Sequence, residues 1–157
     1  MFPFVLTTVT GLGSGVPHGA AMTQGRGVGV LTAGNHGSTY SGSPLGSRVV
    51  YTVIDTIQKE NLVDNASQMG AYIVEQFRTQ LADQNVIVRG FGLMIGIELP
   101  KACGDLVNVA RDDYHLIINV TAGSVIRLLP VLNINKEQAD QLTTRIVKLA
   151  KHFSAYF

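Results

Sequence analysis

The chain has 157 residues and a net charge of +1, with 46% hydrophobic and 15% charged residues, which suits one domain or a small domain plus part of another. This balance excludes a disordered chain and provides no basic patch for nucleic acid or an anionic membrane. A single cysteine, Cys103, cannot form an internal disulfide, which indicates a cytoplasmic protein. The four histidines lack metal-ligand spacing, so no metal site is expected.

The first third of the chain differs from the rest in charge. Residues 1–54 contain no aspartate, glutamate or lysine, and they hold most of the glycines. We expect short strands joined by loops whose backbone approaches another surface closely. The apolar N-terminus, residues 1–6, lacks the basic region of a signal peptide and predicts a core strand. No run approaches the ~18 apolar residues that a membrane span needs.

Two helices are predicted next. The first has Ser43 as N-cap and Pro44 at its first helical position. The second follows Asn61. Each shows apolar residues at three- and four-residue steps, namely Leu45, Val49, Val50, Val53, Ile54 and Ile57 in the first and Leu62, Ala66, Met69, Ile73, Phe77 and Leu81 in the second.

The remaining pattern predicts a β-β-α-β-β-α unit. Two strands turn through Gly90 and Gly92, a short helix spans 105–113, and two more strands span 116–120 and 125–130. The last helix follows Asn135, an N-cap supported by Gln138 three residues later. Its inward residues are predicted to be Ala139, Leu142, Ile146, Leu149, Ala150 and Phe153. This order predicts a compact α+β domain with helices on one face of a small antiparallel sheet.

The glycine-rich segments invite nucleotide-binding interpretations, but the required motifs are absent. GLGSGV lacks the third glycine of a dinucleotide fingerprint, and GNHGSTY has no Gly-Lys-Ser/Thr of a phosphate loop. No serine occurs in G-x-S-x-G. His36 and Ser38 stand two residues apart and do not make a catalytic triad by themselves.

The loop GNHGSTYSGSP, residues 34–44, places the hydroxyls of Ser38 and Thr39 directly before a predicted helix. Backbone amides and the helix dipole at such a place favour an anionic oxygen. The alternative is an ordinary capped loop in which these side chains satisfy turn geometry. Spacing alone leaves both interpretations open.

Several runs of sequence resemble, in order and spacing, the C-terminal portion of class III pyridoxal-phosphate aminotransferases. They are VTGLGSGVPHGAAMT, GNHGSTYSGSPLG, VRGFGLMIGIEL, LIINV and VIRLLPVLNI. The resemblance is strongest to the acetylornithine branch, whose relatives include ornithine and succinyldiaminopimelate transaminases. It implies an α/β to α+β fold, the C-terminal portion of a fold-type I transferase. Residues 1–43 would be a remnant of the cofactor-binding large domain, 44–60 a connecting helix and 61–157 the small domain.

The resemblance also implies roles for single residues. Such enzymes are homodimers whose HGST-type loop reaches the neighbouring active site, so Thr39 would hold the cofactor phosphate and Ser38 would lie against the acylated substrate. Arg127 matches an arginine that positions a substrate carboxylate, which a guanidinium suits chemically. The alternative for Arg127 is a strand residue whose stem packs on the sheet and whose head reaches solvent.

Thr10 departs from the family pattern. The family places a lysine there that forms the Schiff base with pyridoxal phosphate, and a threonine hydroxyl cannot form an imine. The first lysine of this chain is Lys59, at the end of a predicted helix. His18 is a smaller departure, since the family usually has an aliphatic residue there. It is either a tolerated polar substitution or a histidine satisfied beside the sheet.

The sequence therefore predicts the C-terminal part of an acetylornithine-type aminotransferase, acting through pyridoxal phosphate on N-acetylornithine and 2-oxoglutarate in arginine or lysine biosynthesis. Because of Thr10, we expect this chain to be inactive alone. One alternative is a non-catalytic module that pairs with itself or with an intact transaminase subunit. Another is a truncated reading frame with no activity.

Overall fold

A computed structural model describes residues 4–156, except for the side chains of Thr10 and residues 154–156. The chain divides after Asn61 into two compact units. The first unit contains an antiparallel hairpin of β1 (Val5–Thr8) and β2 (Ala20–Thr23) and the helix α1 (Pro44–Lys59). Short 3₁₀ helices at Thr10–Gly13 and Gly25–Gly27 follow the two strands. The prediction of short strands joined by loops is confirmed.

The described residues of the first unit, 4–61, form no apolar core of their own. Among the described side chains of residues 4–61, no hydrophobic one is buried. Val5 and Leu6 in β1 are 55% and 49% exposed, so the prediction of a core strand is wrong about burial. A two-stranded ribbon has no second layer to cover it. Residues 1–3, which belonged to the same prediction, lie outside the described residues.

Helix α1 begins at Pro44 as predicted, with Ser43 in the N-cap position. The Ser43 side chain makes no capping hydrogen bond, however. The predicted apolar stripe is only partly covered, because Leu45 is 73% exposed and Ile54 is also exposed, while Val49, Val50, Val53 and Ile57 are half-buried. The periodicity identified the helix correctly, but the described residues cover its apolar face only in part.

The second unit contains the predicted second helix and the β-β-α-β-β-α unit. In chain order the elements are α2 (Leu62–Gln80), β3 (Ile87–Phe91), β4 (Met94–Glu98), α3 (Leu106–Tyr114), β5 (Asn119–Thr121), β6 (Val125–Leu128) and α4 (Lys136–Tyr156). The four strands form one antiparallel sheet in the order β3-β4-β6-β5. The predicted α+β architecture is confirmed.

The core of the second unit lies between one face of this sheet and the helices. Ile97 pairs with Ile126 across β4 and β6, and both side chains are fully buried. The helices contribute further fully buried side chains, Ile73, Phe77, Ala110, Ile146 and Leu149. Removing this apolar surface from water is the main stabilising contribution to the unit.

Three predicted boundaries are wrong, one of them because the strand expected at 125–130 ends at Leu128. Gly90 lies within β3, and the turn between β3 and β4 is made at Gly92, whose φ of 54° favours glycine. The strand expected at 116–120 begins only at Asn119. The residues before it terminate α3, because the Leu116 amide donates to the carbonyl of Ala110 at 2.9 Å. The apolar run LIIN is thus shared between a helix end and a strand.

The start of α4 is the capping box predicted from Asn135 and Gln138. The Gln138 amide donates to Asn135 Oδ1 at 2.9 Å, and the Asn135 amide donates to Gln138 Oε1 at 3.0 Å. The predicted inward residues of α4 are buried, apart from the half-buried Leu142. Within residues 4–156, no helix is both long and apolar enough to cross a membrane.

Candidate functional site

The loop 34–44 is exposed along nearly its whole length, with Ser43 alone half-buried. Local hydrogen bonds give it shape. The Thr32 amide donates to Asn35 Oδ1 at 3.0 Å, the Ser41 amide to the Ser38 carbonyl at 3.1 Å, and the Ser43 amide to the Tyr40 carbonyl at 3.2 Å. The loop is thus a series of tight turns leading into α1.

Ser38 and Thr39 differ in their hydrogen bonding. Ser38 Oγ lies 2.9 Å from Ser41 Oγ, so this hydroxyl is engaged within the loop. Thr39 is exposed, and no hydrogen bond to its hydroxyl is made by the described residues. Tyr40 beside it is 83% exposed. The hydroxyl of Thr39 is therefore available to a group that approaches from outside the unit.

The first turn of α1 lies directly after this loop. Pro44 has no amide hydrogen, and Ser43 does not cap the helix with its side chain. The amides of this turn and the positive end of the helix dipole suit an anionic oxygen. The geometry agrees with the interpretation of loop 34–44 as an anion-contacting element, while leaving the role of each residue a prediction.

His18 packs against the start of the same helix. A Cβ atom placed on Gly46 would lie 2.7 Å from His18 Nδ1, so the ring occupies the space that a side chain at position 46 would need. Gly46 is buried by this contact. The ring is thus packed against the first turn of α1, and both interpretations of His18 stay predictions. A glycine in the first turn of α1 was the signal for such a close approach.

Thr10 begins the 3₁₀ helix that follows β1, but its side chain lies outside the described residues. Lys59, the first lysine of the chain, ends α1 and forms an ion pair with Asp55 at 2.9 Å. Its ammonium group is thus engaged with the carboxylate one turn earlier in α1. The same unit therefore offers no lysine near the turn that carries Thr10.

Arg127 belongs to the second unit. It lies in β6, opposite Gly96 of β4 and Asn119 of β5, on the sheet face away from the helices. The side chain is exposed and forms no ion pair with any described residue. Arg89 on the same face, by contrast, donates to Glu98 at 2.5 Å. The unpaired guanidinium of Arg127 remains able to bind a carboxylate.

A groove of about 950 Å³ in the second unit was not predicted. It lies between α2 and the β3–β4 turn, where Gly70 and Gly92 approach closely and Phe91 is 93% exposed. Leu129 and Leu132 line another side. The small residues Ala66 and Gly70, one turn apart in α2, were the only sequence signal for it. None of the predicted site residues lines this groove.

A polar cluster of Tyr72, Lys136 and Asp140 joins α2 to α4. Tyr72 Oη donates to Asp140 Oδ1 at 2.5 Å, and Lys136 Nζ donates to Asp140 Oδ2 at 2.8 Å. Hydrogen bonds from Lys136 and then from Tyr72 hold the pKa of Asp140 below its ordinary value. These groups satisfy one another and serve to stabilise the fold. Burial raises the pKa of the Cys103 thiol, which disfavours the thiolate form.

Comparison with known proteins identifies aminotransferases as relatives of this chain. The family model Aminotransferase class-III matches residues 2–150. The acetylornithine aminotransferase of Nitrosomonas europaea is 43% identical over 155 residues, covering 98% of this chain and 39% of the relative. This chain thus spans about two fifths of the length of the curated relatives it matches and corresponds to their C-terminal portion.

Solved structures show the same similarity. Ornithine aminotransferase of Toxoplasma gondii, with pyridoxal phosphate at partial occupancy in its active site, aligns with a TM-score of 0.87 at 29% identity, over 98% of this chain and 38% of that one. Acetylornithine aminotransferase of Elizabethkingia anophelis aligns with a TM-score of 0.86 at 27% identity, over 98% of this chain and 40% of that one.

Proposed function

This chain belongs to the class III aminotransferases, and we propose that it is the C-terminal part of an acetylornithine-type enzyme that cannot act by itself. The ancestral reaction would transfer the amino group of N-acetylornithine to 2-oxoglutarate. It would serve arginine biosynthesis in the cytoplasm, within a homodimer. The observation that carries the proposal is the exposed loop 34–44, with its free Thr39 hydroxyl, in a chain that matches the family along nearly all its length.

The residues present fit one end of the cofactor. Pyridoxal phosphate carries a phosphate group and an aldehyde. A phosphate suits the Thr39 hydroxyl and the uncapped first turn of α1. In this proposal Thr39 binds the phosphate in the site of the partner subunit, Ser38 lies beside the acyl group of the substrate, and Arg127 orients a carboxylate. Residues 1–43, 44–60 and 61–157 would be large-domain remnant, connecting helix and small domain.

The other end of the cofactor lacks a matching residue. The chemistry that pyridoxal phosphate would supply is withdrawal of electrons from the substrate carbon that bears the transferred amino group, and a lysine amine would hold the aldehyde and move the proton of that carbon. Thr10, at that position, has a hydroxyl that does neither at neutral pH. Lys59 is held by Asp55 at the far end of α1. The chain would therefore contribute phosphate and substrate contacts but no proton transfer.

A chimera tests this proposal. Residues 1–157 would replace the matching region of the Nitrosomonas europaea enzyme, and amino transfer from N-acetylornithine to 2-oxoglutarate would be measured. We expect no activity from the unaltered chimera and measurable activity after Thr10→Lys. Val9→Lys, one residue away on an exposed position, is the matched control and should stay inactive. Activity of the unaltered chimera, or inactivity of a soluble Thr10→Lys chimera, would refute the proposal.

A second candidate function is a non-catalytic interaction module. The observation that favours it is the absence of buried hydrophobic side chains among the described residues 4–61. Such a unit would pair with a second copy or with an intact transaminase subunit. Loop 34–44 would then complete the active site of that subunit. Co-expression with a complete class III aminotransferase tests it. If the chain neither co-purifies with that enzyme nor changes its activity, the module interpretation is wrong.

A further inference from the structure

The sheet of the second unit carries a short row of residues centred on Gly96, on the face that points away from the helices. Gly96 in β4 pairs with Arg89 in β3 on one side and with Arg127 in β6 on the other. Because Ile95 and Ile97 are buried against the helices, the residues of this row lie on the opposite, outer face. The register of the sheet therefore places one arginine on each side of a single glycine.

The centre of this row is open. A Cβ atom placed on Gly96 would meet, among the described residues, only Cγ1 of Val125, at 3.3 Å. Neighbouring strands are about 4.8 Å apart, so the Cα atoms of Arg89 and Arg127 are separated by about 10 Å. Both side chains are long enough to reach a carboxylate that lies over Gly96.

One carboxylate of the chain itself lies within reach of both arginines. Glu98, two residues after Gly96 in β4, is a diagonal neighbour of Arg89 and also of Arg127. Diagonal neighbours in a sheet are about 7 to 8 Å apart, which long side chains can span. Arg89 Nη2 donates to Glu98 Oε2 at 2.5 Å, whereas Arg127 forms no ion pair with any described residue. Glu98 is thus paired with one of the two arginines that it could reach.

We propose that Arg89 is a positioning residue for carboxylate binding, because it holds Glu98 and thereby keeps Arg127 free for the carboxylate of a substrate. Without Arg89, the Glu98 side chain would turn to Arg127, the other guanidinium within its reach. It would then compete with the substrate for the same donors. Ion pairs on a solvent-exposed face are weak, so the competition would be modest. The inference rests on the proposed function, which assigns the substrate carboxylate to Arg127.

A titration of the isotope-labelled full chain with 2-oxoglutarate measures this carboxylate affinity. Binding is followed by NMR at the backbone amides of Gly96 and Asn119, which pair with Arg127 from the two neighbouring strands. We expect saturable shifts in the unaltered chain and none in Arg127→Gln. Arg89→Gln should weaken binding about two- to fivefold, as competition by one exposed ion pair predicts.

Removal of Glu98 should reverse this loss. Arg89→Gln combined with Glu98→Gln should bind as tightly as the unaltered chain, because the competing carboxylate is gone. Arg89→Gln combined with Asp113→Asn, an exposed position in α3, has the same net charge as that double variant but keeps Glu98. It should bind as weakly as Arg89→Gln alone. If Arg89 had a purely structural role, the removal of Glu98 would not restore binding.

Two further variants complete the experiment. Arg89→Lys keeps a cation for Glu98 and should bind like the unaltered chain. Arg111→Gln breaks an ion pair with Asp112, and the Arg111 side chain is 61% exposed, against 62% for Arg89. This matched control should also leave the affinity unchanged.

The possible outcomes separate this inference from the proposed function. The inference alone is wrong if Arg89→Gln binds as tightly as the unaltered chain, or if the double variant without Glu98 stays weak. If the unaltered chain shows no saturable binding, or if Arg127→Gln binds normally, the carboxylate role of Arg127 in the proposed function is wrong, and this inference fails with it.

Discussion

The two units of this chain contain similar apolar periodicity but bury it very differently. Residues 62–156 enclose Ile97, Ile126 and Ile146 completely, whereas residues 4–61 leave Val5, Leu6 and Leu45 largely in water. The candidate phosphate-contacting loop lies in the first unit, where no described hydrophobic side chain is buried. A stripe of apolar residues therefore shows which face of a helix or strand packs against another surface. It does not show that the same chain contains that surface.

The largest effect is expected in the core of the second unit. Phe77→Ala removes a fully buried ring, and we expect a loss of about 3 to 5 kcal/mol in the free energy of unfolding, from lost burial and the cavity left behind. Leu6→Ala in the hairpin should cost less than about 1 kcal/mol, because half of that side chain is already exposed. Urea denaturation followed by circular dichroism measures both. Equal losses of unfolding free energy in the two variants would contradict the difference in burial between the two units.

A smaller loss is expected where α2 meets the β3–β4 turn. A Cβ atom at Gly70 would lie 2.0 Å from the Gly92 carbonyl oxygen, so Gly70→Ala must push helix and turn apart. We expect about 1 to 3 kcal/mol of destabilisation, typical of overpacking, despite the better helix propensity of alanine. Gly37→Ala in the first unit meets nothing within 4 Å and serves as control. If Gly70→Ala does not destabilise the chain in thermal unfolding, the close packing of Gly70 against Gly92 is contradicted.

The capping box of α4 should contribute less. Asn135→Ala removes the acceptor of the Gln138 amide, and we expect a loss of about 1 kcal/mol in the free energy of unfolding. Gln141→Ala, exposed on the same helix, is the matched control and should be nearly neutral. Both changes can be followed by urea denaturation. If the two variants unfold alike, Asn135 does not act as a cap in solution.

The smallest effect concerns acid stability. Since the pKa of Asp140 is lowered on folding by its bonds to Lys136 and Tyr72, its contribution is present above its unfolded pKa of about 4 and is lost as pH falls through the lower folded pKa. Asp140→Asn should therefore destabilise the second unit at pH 7. The difference from the unaltered chain should shrink below about pH 4. A difference independent of pH in urea titrations would exclude this ion pair as its cause.

The sequence predicted the helices best. The spacing of Leu62, Ile73 and Phe77 sufficed because a helical stripe of that length has few other interpretations. Asn135 was identified because a capping box is a local signal. The β5 boundary was missed because LIIN serves both the end of α3 and the strand, and apolar character does not separate the two.

The candidate site was predicted in part. Local residue chemistry pointed to loop 34–44, and the structure shows an exposed loop before α1, with the roles of Ser38, Thr39 and Arg127 still predictions. The contact of His18 with Gly46 was not predicted, because it depends on how the segment before β2 lies against α1. The exposure of β1 was also not predicted. It depends on which strands pair with the hairpin, and the apolar pattern of β1 does not show this.

Hydrogen exchange of the purified chain tests most directly the claim that the second unit is stable by itself and the first is not. We predict strong protection of amides in the core elements of the second unit, such as Ile97 and Ile146. The hairpin amides of Leu6 and Met22 should exchange far faster. Protection of Leu6 and Met22 as strong as that of Ile97, in the isolated monomeric chain, would contradict the account.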